Sequence, residues 1–179
     1  MPHPGCQPAV NTLEWKLSRA AGAWSFLEKP MGNLAMHLQE EDILLAVNPS
    51  NKHRLFQQIG QHMQHTWQLP GDWVAASLAR REEAGSTAIG AGVALPHARL
   101  EELDAIHVLY LRPQAPMAFA APDQQPVRDI LVLLVPAPAE QSHLDLLAET
   151  ARLFADQRFR QALHDCREAR QVKQLFDRW

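Results

Sequence analysis

The apolar run Ile130–Val135 constrains the fold of this chain more strongly than any other segment. It has the length of one strand and is bounded by Asp129 and Pro136. A strand whose residues are all apolar, without alternation, is typical of a sheet that is covered on both faces. The run therefore predicts a central strand that is buried on both sides.

Further elements are predicted on either side of this run. Strands are predicted at Ile43–Val47 and Ala105–Leu111 from their β-branched and aromatic residues. Helices are predicted over residues 51–68, 73–84 and 143–154, with N-caps Ser50, Asp72 and Ser142, and over two short segments opened by Asp156 and Glu168. Gly85 is predicted to close the second helix in the left-handed conformation. Strands that alternate with helices predict an α/β sandwich.

The composition excludes several classes of protein. A length of 179 residues favours one domain, and a net charge of −3 argues against nucleic acid as the main partner. No apolar run approaches the ~20 residues of a membrane helix. Cys6 and Cys166 lie far apart, which favours free thiols in a reducing compartment. We therefore expect a cytoplasmic protein without a secretory signal or membrane insertion.

The first 36 residues differ from the rest of the chain. Three early prolines precede Thr12–Leu27, which has the spacing of a short amphipathic helix. We interpret residues 1–36 as an extension, either a tail or the product of a start codon assigned too early. Met31 and Met36 are the alternative starts. Residues 37–179 form the predicted folded unit.

The segment Arg81–Arg99 is arranged to present one histidine. Pro96 has no N–H group and restricts the preceding residue to extended geometry, so the predicted strand Gly92–Leu95 ends there. His97 is then expected at the carboxyl end of a strand, where open α/β sheets place their ligand sites. The alternative is a histidine on an exposed loop.

At this point the chain resembles the type 2 enzyme IIA domains of the phosphoenolpyruvate-dependent phosphotransferase system. That family covers fructose, mannitol and nitrogen-related branches. The motifs that carry the resemblance are Arg81-Glu82, Gly85-Ser86-Thr87, Ile89-Gly90, Gly92-Val93-Ala94, Pro96-His97, Pro116–Phe119, Val127–Ile130, Leu133–Pro136 and His143–Leu147. The resemblance covers roughly residues 38–179 and implies a mixed β-sheet sandwiched between helices on both faces. The N-terminal extension has no counterpart in it.

The resemblance implies that His97 accepts a phosphoryl group from the histidine phosphocarrier HPr, or its nitrogen-branch counterpart, and passes it on. An imidazole suits this role because much of it is neutral and nucleophilic near pH 7. Arg81 matches the arginine beside the active histidine, and its guanidinium can bind phosphate bidentately. Arg80 next to it leaves the choice of arginine open. No metal or organic cofactor is expected, because the phosphate arrives activated.

Three further residues are predicted at the site. His143 matches the second histidine of the family and is expected in the first turn of a helix, which favours phosphate. Ser86 and Thr87 offer hydroxyls or N–H groups to the phosphoryl oxygens, with helix termination as the alternative.

The helix predicted over residues 51–68 carries three histidines, namely His53, His62 and His65. We interpret them as part of a solvated helix face and not as a zinc site.

The chain contains no enzyme IIB or IIC unit, and its motifs look most like the nitrogen-related regulator. We therefore expect a signalling phosphocarrier whose partners are the histidine phosphocarrier and regulated target proteins. One alternative is a sugar-branch enzyme IIA that passes phosphate to enzyme IIB. The other is a binding module that no longer uses the histidine. In each case Leu95, Ala98 and Leu100 are expected to line a shallow, partly apolar docking surface.

Overall fold

The computed structural model describes residues 33–101, 103–138 and 140–179. The predicted helix Thr12–Leu27 and Cys6 lie outside the described residues, and Cys166 is a free thiol. In the part of the chain that the structure describes, no helix is long and apolar enough to span a membrane.

In the described residues a helix and a strand are followed by two helices, five strands and three final helices. The helices are α1 (Asn33–His37), α2 (Lys52–Trp67), α3 (Gly71–Glu83), α4 (Gln141–Ala155), α5 (Gln157–Asp165) and α6 (Ala169–Arg178). The strands are β1 (Leu38–Val47), β2 (Ala88–Gly90), β3 (Val93–Ala94), β4 (His97–Leu100), β5 (His107–Pro113) and β6 (Asp129–Pro136).

These strands form one mixed sheet with β6 near its centre. The order is β1-β5-β6-β3-β2, and β4 also pairs with β6, beyond β3. β6 is antiparallel to β5 and parallel to β3 and β4, while β1 and β5 are parallel. The predicted class, a mixed sheet sandwiched between helices, is confirmed.

Each face of the sheet contributes to its own apolar core, because side chains alternate along β5 and β6. Leu109, Leu111 and Ile130 pack with residues of α2 and α3. On the other face, Tyr110 and Leu131 belong to the core formed with α1 and α4–α6. The six residues Ile130–Val135 are all buried, which confirms the predicted central strand.

Helices α2 and α3 approach each other closely at two glycines. A Cβ atom on Gly60 would lie 2.2 Å from the carbonyl oxygen of Gly71, well inside van der Waals contact. The two backbones therefore meet at a distance that only glycine permits. This crossing sets the position of α3, whose last turn carries Arg81.

Several predicted helix ends were wrong by a few residues. The N-cap of α2 is Asn51, whose side chain accepts from Arg54 N–H at 2.9 Å, and not Ser50. The N-caps of α3 and α4 are Pro70 and Glu140, not Asp72 and Ser142. Asn51 and Glu140 are capable cap residues one or two positions from the predicted Ser50 and Ser142, and only tertiary packing selects between them. At α3, Pro70 makes no side-chain cap hydrogen bond, and Asp72 lies in the first turn of the helix. The caps of α5 and α6, Asp156 and Glu168, are confirmed.

Two other local predictions differ from the structure. Gly85 has φ +153°, outside the left-handed helical region in which it was predicted. His62 is not part of a solvated face, because its Nε2 lies 2.7 Å from Oδ1 of the buried Asp42. Trp67 Nε1 donates to the same carboxylate at 2.9 Å. His53 and His65 are exposed as expected.

Helix α1 precedes the predicted boundary of the folded unit. Leu34 and Ala35 are buried in the core on the α4–α6 side of the sheet. The Ala35 carbonyl accepts from Lys173 Nζ at 3.2 Å. The packed part of the chain therefore includes residues that the sequence had assigned to the extension.

Candidate functional site

His97 is the first residue of β4 rather than the residue after a strand that has ended. The predicted strand Gly92–Leu95 is shorter, because β3 covers only Val93–Ala94. Pro96 interrupts the pairing, but its carbonyl accepts from Leu133 N–H at 3.0 Å. The chain thereby rejoins β6 at once, with His97 paired to Leu133.

Both ring nitrogens of His97 have defined partners. Nδ1 lies 2.8 Å from the carbonyl oxygen of Leu95, and Nε2 lies 3.0 Å from Nε of Arg81. A carbonyl can only accept and a guanidinium can only donate. The geometry therefore assigns the proton to Nδ1 and leaves the lone pair on Nε2.

Arg81 is the arginine that the structure brings to His97. Its Nη1 donates to the carbonyl of Gly85 at 2.9 Å, which holds the guanidinium against the end of α3. Arg80 instead donates to Ser77 Oγ at 3.3 Å. The ambiguity between the two neighbouring arginines is resolved because only one of them contacts the ring.

The surroundings favour the neutral ring of His97. Burial lowers the pKa of His97 from its ordinary value, and the Leu95 carbonyl opposes this by accepting from Nδ1. The positive charges of Arg81 and Arg99 lower that pKa further, whereas Glu82 raises it. The net shift of the pKa is downward, so Nε2 is unprotonated at neutral pH.

A buried carboxylate supports the segment that carries the ring. Glu82 is 8% exposed and accepts from Lys52 Nζ at 2.8 Å and from both N and Oγ1 of Thr87, at 2.9 and 2.6 Å. The Thr87 carbonyl in turn accepts from Leu95 N–H at 3.0 Å. This chain of contacts ends at the residue whose carbonyl orients His97. Sequence reasoning assigned no role to Glu82, although it follows Arg81 directly.

Ser86 and Thr87 use their hydroxyls within the fold. Ser86 Oγ donates to the Phe119 carbonyl at 2.5 Å and accepts from Ala88 N–H at 3.2 Å. Thr87 is buried, and both its hydroxyl and its N–H donate to Glu82. In this arrangement the two residues fasten the end of α3 to the following strand.

His143 lies in the first turn of α4, as predicted, but it is the third residue of the helix and not the first. It is 6% exposed, and its Nδ1 accepts from Glu140 N–H at 3.1 Å. The neutral ring therefore carries its proton on Nε2. Within the described ranges, neither ring nitrogen of His143 is hydrogen-bonded to His97.

The surface beside His97 is a shallow depression of about 320 Å³. Its lining residues are Ser77, Arg80, Arg81, His97, Ala98 and Arg99. Three guanidinium groups and one imidazole make it a site for an anion. The sequence had not placed Ser77 or Arg99 here.

The prediction that Leu95 and Leu100 line a docking surface is wrong, because they are 5% and 3% exposed and belong to the two cores. Ala98 is also 5% exposed, but it lines the depression beside His97. Because both faces of the sheet are covered by helices, apolar side chains in and beside the short strand β4 are buried in the core. The exposed large apolar side chains of the described residues are instead Met36, Trp73, Ile89 and Leu144.

Comparison with known proteins shows the same family over most of the chain. Residues 36–179 match the family described as "Phosphoenolpyruvate-dependent sugar phosphotransferase system, EIIA 2". A nitrogen regulatory protein of Bradyrhizobium diazoefficiens is 35% identical over 132 residues, covering 74% of this chain and 86% of that protein. One from Escherichia coli K12 is 37% identical over 125 residues, covering 69% and 76%.

Solved structures agree with this assignment. The crystal structure of nitrogen regulatory protein IIA-Ntr from Neisseria meningitidis matches with a TM-score of 0.75 at 32% identity, covering 80% of this chain and 98% of that one. Enzyme IIA mannitol from Escherichia coli shares the fold, with a TM-score of 0.65 at 16% identity, covering 77% and 97%. The chain therefore belongs to the type 2 enzyme IIA family of the phosphoenolpyruvate-dependent phosphotransferase system.

Proposed function

We propose that this protein is a regulatory phosphocarrier that accepts a phosphoryl group on Nε2 of His97 from a phosphohistidine carrier protein. The observation that carries the proposal is the pair of contacts on the ring. Leu95 holds the proton on Nδ1, and Arg81 lies 3.0 Å from the lone pair of Nε2. A neutral, oriented imidazole beside a fixed cation is the arrangement that phosphoryl acceptance requires.

The transfer step is an exchange between two imidazoles. Nε2 of His97 forms a bond to phosphorus while the N–P bond to the carrier histidine breaks, and the electron pair of that bond returns to the carrier ring. No proton need move during the step. The ring of His97 gains positive charge as the bond forms, and the Leu95 carbonyl stabilises it through the Nδ1–H hydrogen bond.

Arg81 must change partners during this step. Its Nε occupies the lone pair of Nε2 in the free protein, so the guanidinium has to move onto the phosphoryl oxygens as phosphorus approaches. The contact from Nη1 to Gly85 limits that movement to a short displacement. Charge on the equatorial oxygens grows in a loose transition state, and a guanidinium at this position stabilises it.

The other predicted residues fit the proposal in two different ways. His143 is not among the residues that line the depression beside His97, so its contact with the phosphoryl group stays a prediction, one that an N–H at Nε2 would suit. Ser86 and Thr87 act through the loop, because their hydroxyls are already bound to Phe119 and Glu82. Their direct contact with phosphate stays a prediction.

A role in nitrogen-related regulation is supported by the relatives that are more than 30% identical, which are named nitrogen regulatory proteins. In this proposal the phosphorylated and free forms bind different target proteins. A sugar-branch role is the second candidate, because a fructose-specific EIIA component of Haloferax volcanii is 26% identical over 99 residues.

The test is phosphorylation in a reconstituted system. The protein is incubated with phosphoenolpyruvate, enzyme I and the histidine carrier, and acid-labile phosphate is mapped by mass spectrometry. We expect one label on His97 that disappears in His97→Ala and persists in His65→Ala, an exposed histidine on α2. Absence of label in the wild-type protein would support the binding module instead. Transfer of the label to sugar in the presence of enzymes IIB and IIC would identify the sugar branch.

A further inference from the structure

A second basic depression lies near the first residue of β6, away from the middle of that strand, where His97 pairs with Leu133. It has a volume of about 330 Å³ and is lined by Arg112, Arg128, His164 and Arg167, with neighbouring proline and glutamine residues. We call it the Arg112 depression. Asp129, behind it, opens β6, whereas His97 pairs with Leu133 four residues later. At ~3.3 Å per residue the two positions are ~13 Å apart along the strand.

The floor of the Arg112 depression is held rigidly. Arg112 donates from Nε to Tyr110 Oη at 3.0 Å, from Nη1 to the Cys166 carbonyl at 2.8 Å and from Nη2 to the Leu163 carbonyl. Tyr110 Oη in turn donates to Asp129 Oδ1 at 2.6 Å. A guanidinium with three such partners is preorganised and keeps N–H groups for a ligand.

The same buried carboxylate orients the imidazole of the depression. His164 Nε2 lies 2.7 Å from Asp129 Oδ2, and Asp129 is 1% exposed. The side chain of His164 is 41% exposed. Its Nδ1 has no hydrogen-bond partner in the described ranges. One ring edge is therefore anchored and the other is available to solvent or a ligand.

The remaining two guanidinium groups are uncommitted. Arg128 and Arg167 are exposed, and the described part of the chain contains no carboxylate or carbonyl bonded to either side chain. Three guanidinium groups against the single carboxylate of Asp129 leave an excess of two positive charges, without counting His164. The whole chain carries a net charge of −3, so this concentration of positive charge is local.

We propose that the Arg112 depression binds a small molecule that carries a phosphate monoester. Such a group has about −1.5 to −2 charges at pH 7, which matches the local excess, and its three oxygens suit planar guanidinium forks. A volume of about 330 Å³ lies at the lower end of the ~300–1,000 Å³ typical of small-ligand sites. This site is separate from His97 and does not depend on phosphoryl transfer.

The experiment is an NMR titration of the ¹⁵N-labelled full chain with glycerol 3-phosphate. We expect saturable shifts at Arg128, His164 and Arg167 that are resolved from any shifts at Arg81. The double variant R128Q/R167Q should weaken the affinity at least ~10-fold, since two charge-assisted contacts are lost. The control R152Q/R178Q removes the same charge from two exposed arginines outside the depression, on α4 and at the far end of α6. It should change the affinity less than ~2-fold, because exposed charges far from a site are screened.

Three outcomes would overturn the proposal. Shifts confined to Arg81 and Arg99 would place the anion at the His97 site alone. Equal weakening in both double variants would reduce the binding to non-specific attraction. Citrate binding as tightly as glycerol 3-phosphate would refute the choice of a phosphate monoester. A circular dichroism melt of each variant confirms that a lost affinity does not reflect unfolding.

Discussion

Replacing Arg81 by Gln tests the proposed chemistry most directly. The guanidinium is fixed by Gly85 and lies 3.0 Å from Nε2 of His97, so it can form about two charge-assisted contacts with the phosphoryl oxygens. Each such contact contributes ~1.5–3 kcal/mol. Because the site is partly exposed, we take the lower end, ~3 kcal/mol in total. That figure corresponds to a ~100-fold slower transfer from the phosphorylated carrier.

The assay is the initial rate of phosphoprotein formation, separated by phosphate-affinity electrophoresis. R81K should recover part of the loss, since an ammonium keeps the charge but lacks the planar fork. Arg80→Gln is the matched control, because Arg80 is the adjacent residue, lines the same depression and contacts Ser77. It should slow transfer less than ~3-fold, as expected for a general charge effect. Equal losses in R80Q and R81Q would refute the specific role of Arg81.

Three further predictions address pH and stability. Because burial and the neighbouring guanidinium groups lower the pKa of His97 from its ordinary value of 6.5, the fall in the rate of phosphoryl acceptance with decreasing pH should be centred below 6.5. A decline centred above 6.5 would contradict this. Gly60→Ala should cost ~2 kcal/mol in urea denaturation, because its Cβ would meet the Gly71 carbonyl at 2.2 Å. An unchanged midpoint would contradict the close helix crossing. Thr87→Val should lower the free energy of unfolding by ~1–3 kcal/mol, because Glu82 loses the hydroxyl that donates to it at 2.6 Å. An unchanged free energy of unfolding would contradict a stabilising role for this hydrogen bond.

The lowered pKa of His97 also predicts how the free energy of unfolding depends on pH. The unfolded chain binds a proton at His97 more readily than the folded one, so the free energy of unfolding should fall as pH drops from above 6.5 through the lowered pKa. In His97→Gln this part of the pH dependence should be absent. Unfolding curves of both proteins at several pH values measure the difference, and identical slopes would contradict the shift.

The architecture was predictable from the sequence wherever the composition of a segment is compatible with only one arrangement in the fold. The run Ile130–Val135 cannot be exposed on either face, so a central strand with helices on both sides follows from hydrophobic burial alone. Asp156 and Glu168 were identified as caps because no competing residue stands beside them. At Ser50 and Ser142 a competitor was present, and the prediction was wrong.

The site was predictable in its residue types but not in its contacts. The motif around His97 led to Arg81 through family resemblance, and the structure brings those two side chains together. Leu95 could not be found, because its contribution is a backbone carbonyl that any residue would supply. Glu82 was missed since a glutamate near a helix end is usually solvated, and only packing shows that it is buried between Lys52 and Thr87.

What the sequence determined by itself is the layered α/β fold, the family and the histidine that Pro96 precedes, because these depend on local pattern and burial. The tertiary structure decided which arginine reaches that histidine, which ring nitrogen keeps the lone pair and which apolar residues are hidden. It also brought Arg112, Arg128, His164 and Arg167 from three separate segments to one depression. Hydrogen bonds and charge interactions act over a few ångströms in space, and residues far apart in the chain become neighbours only when it folds.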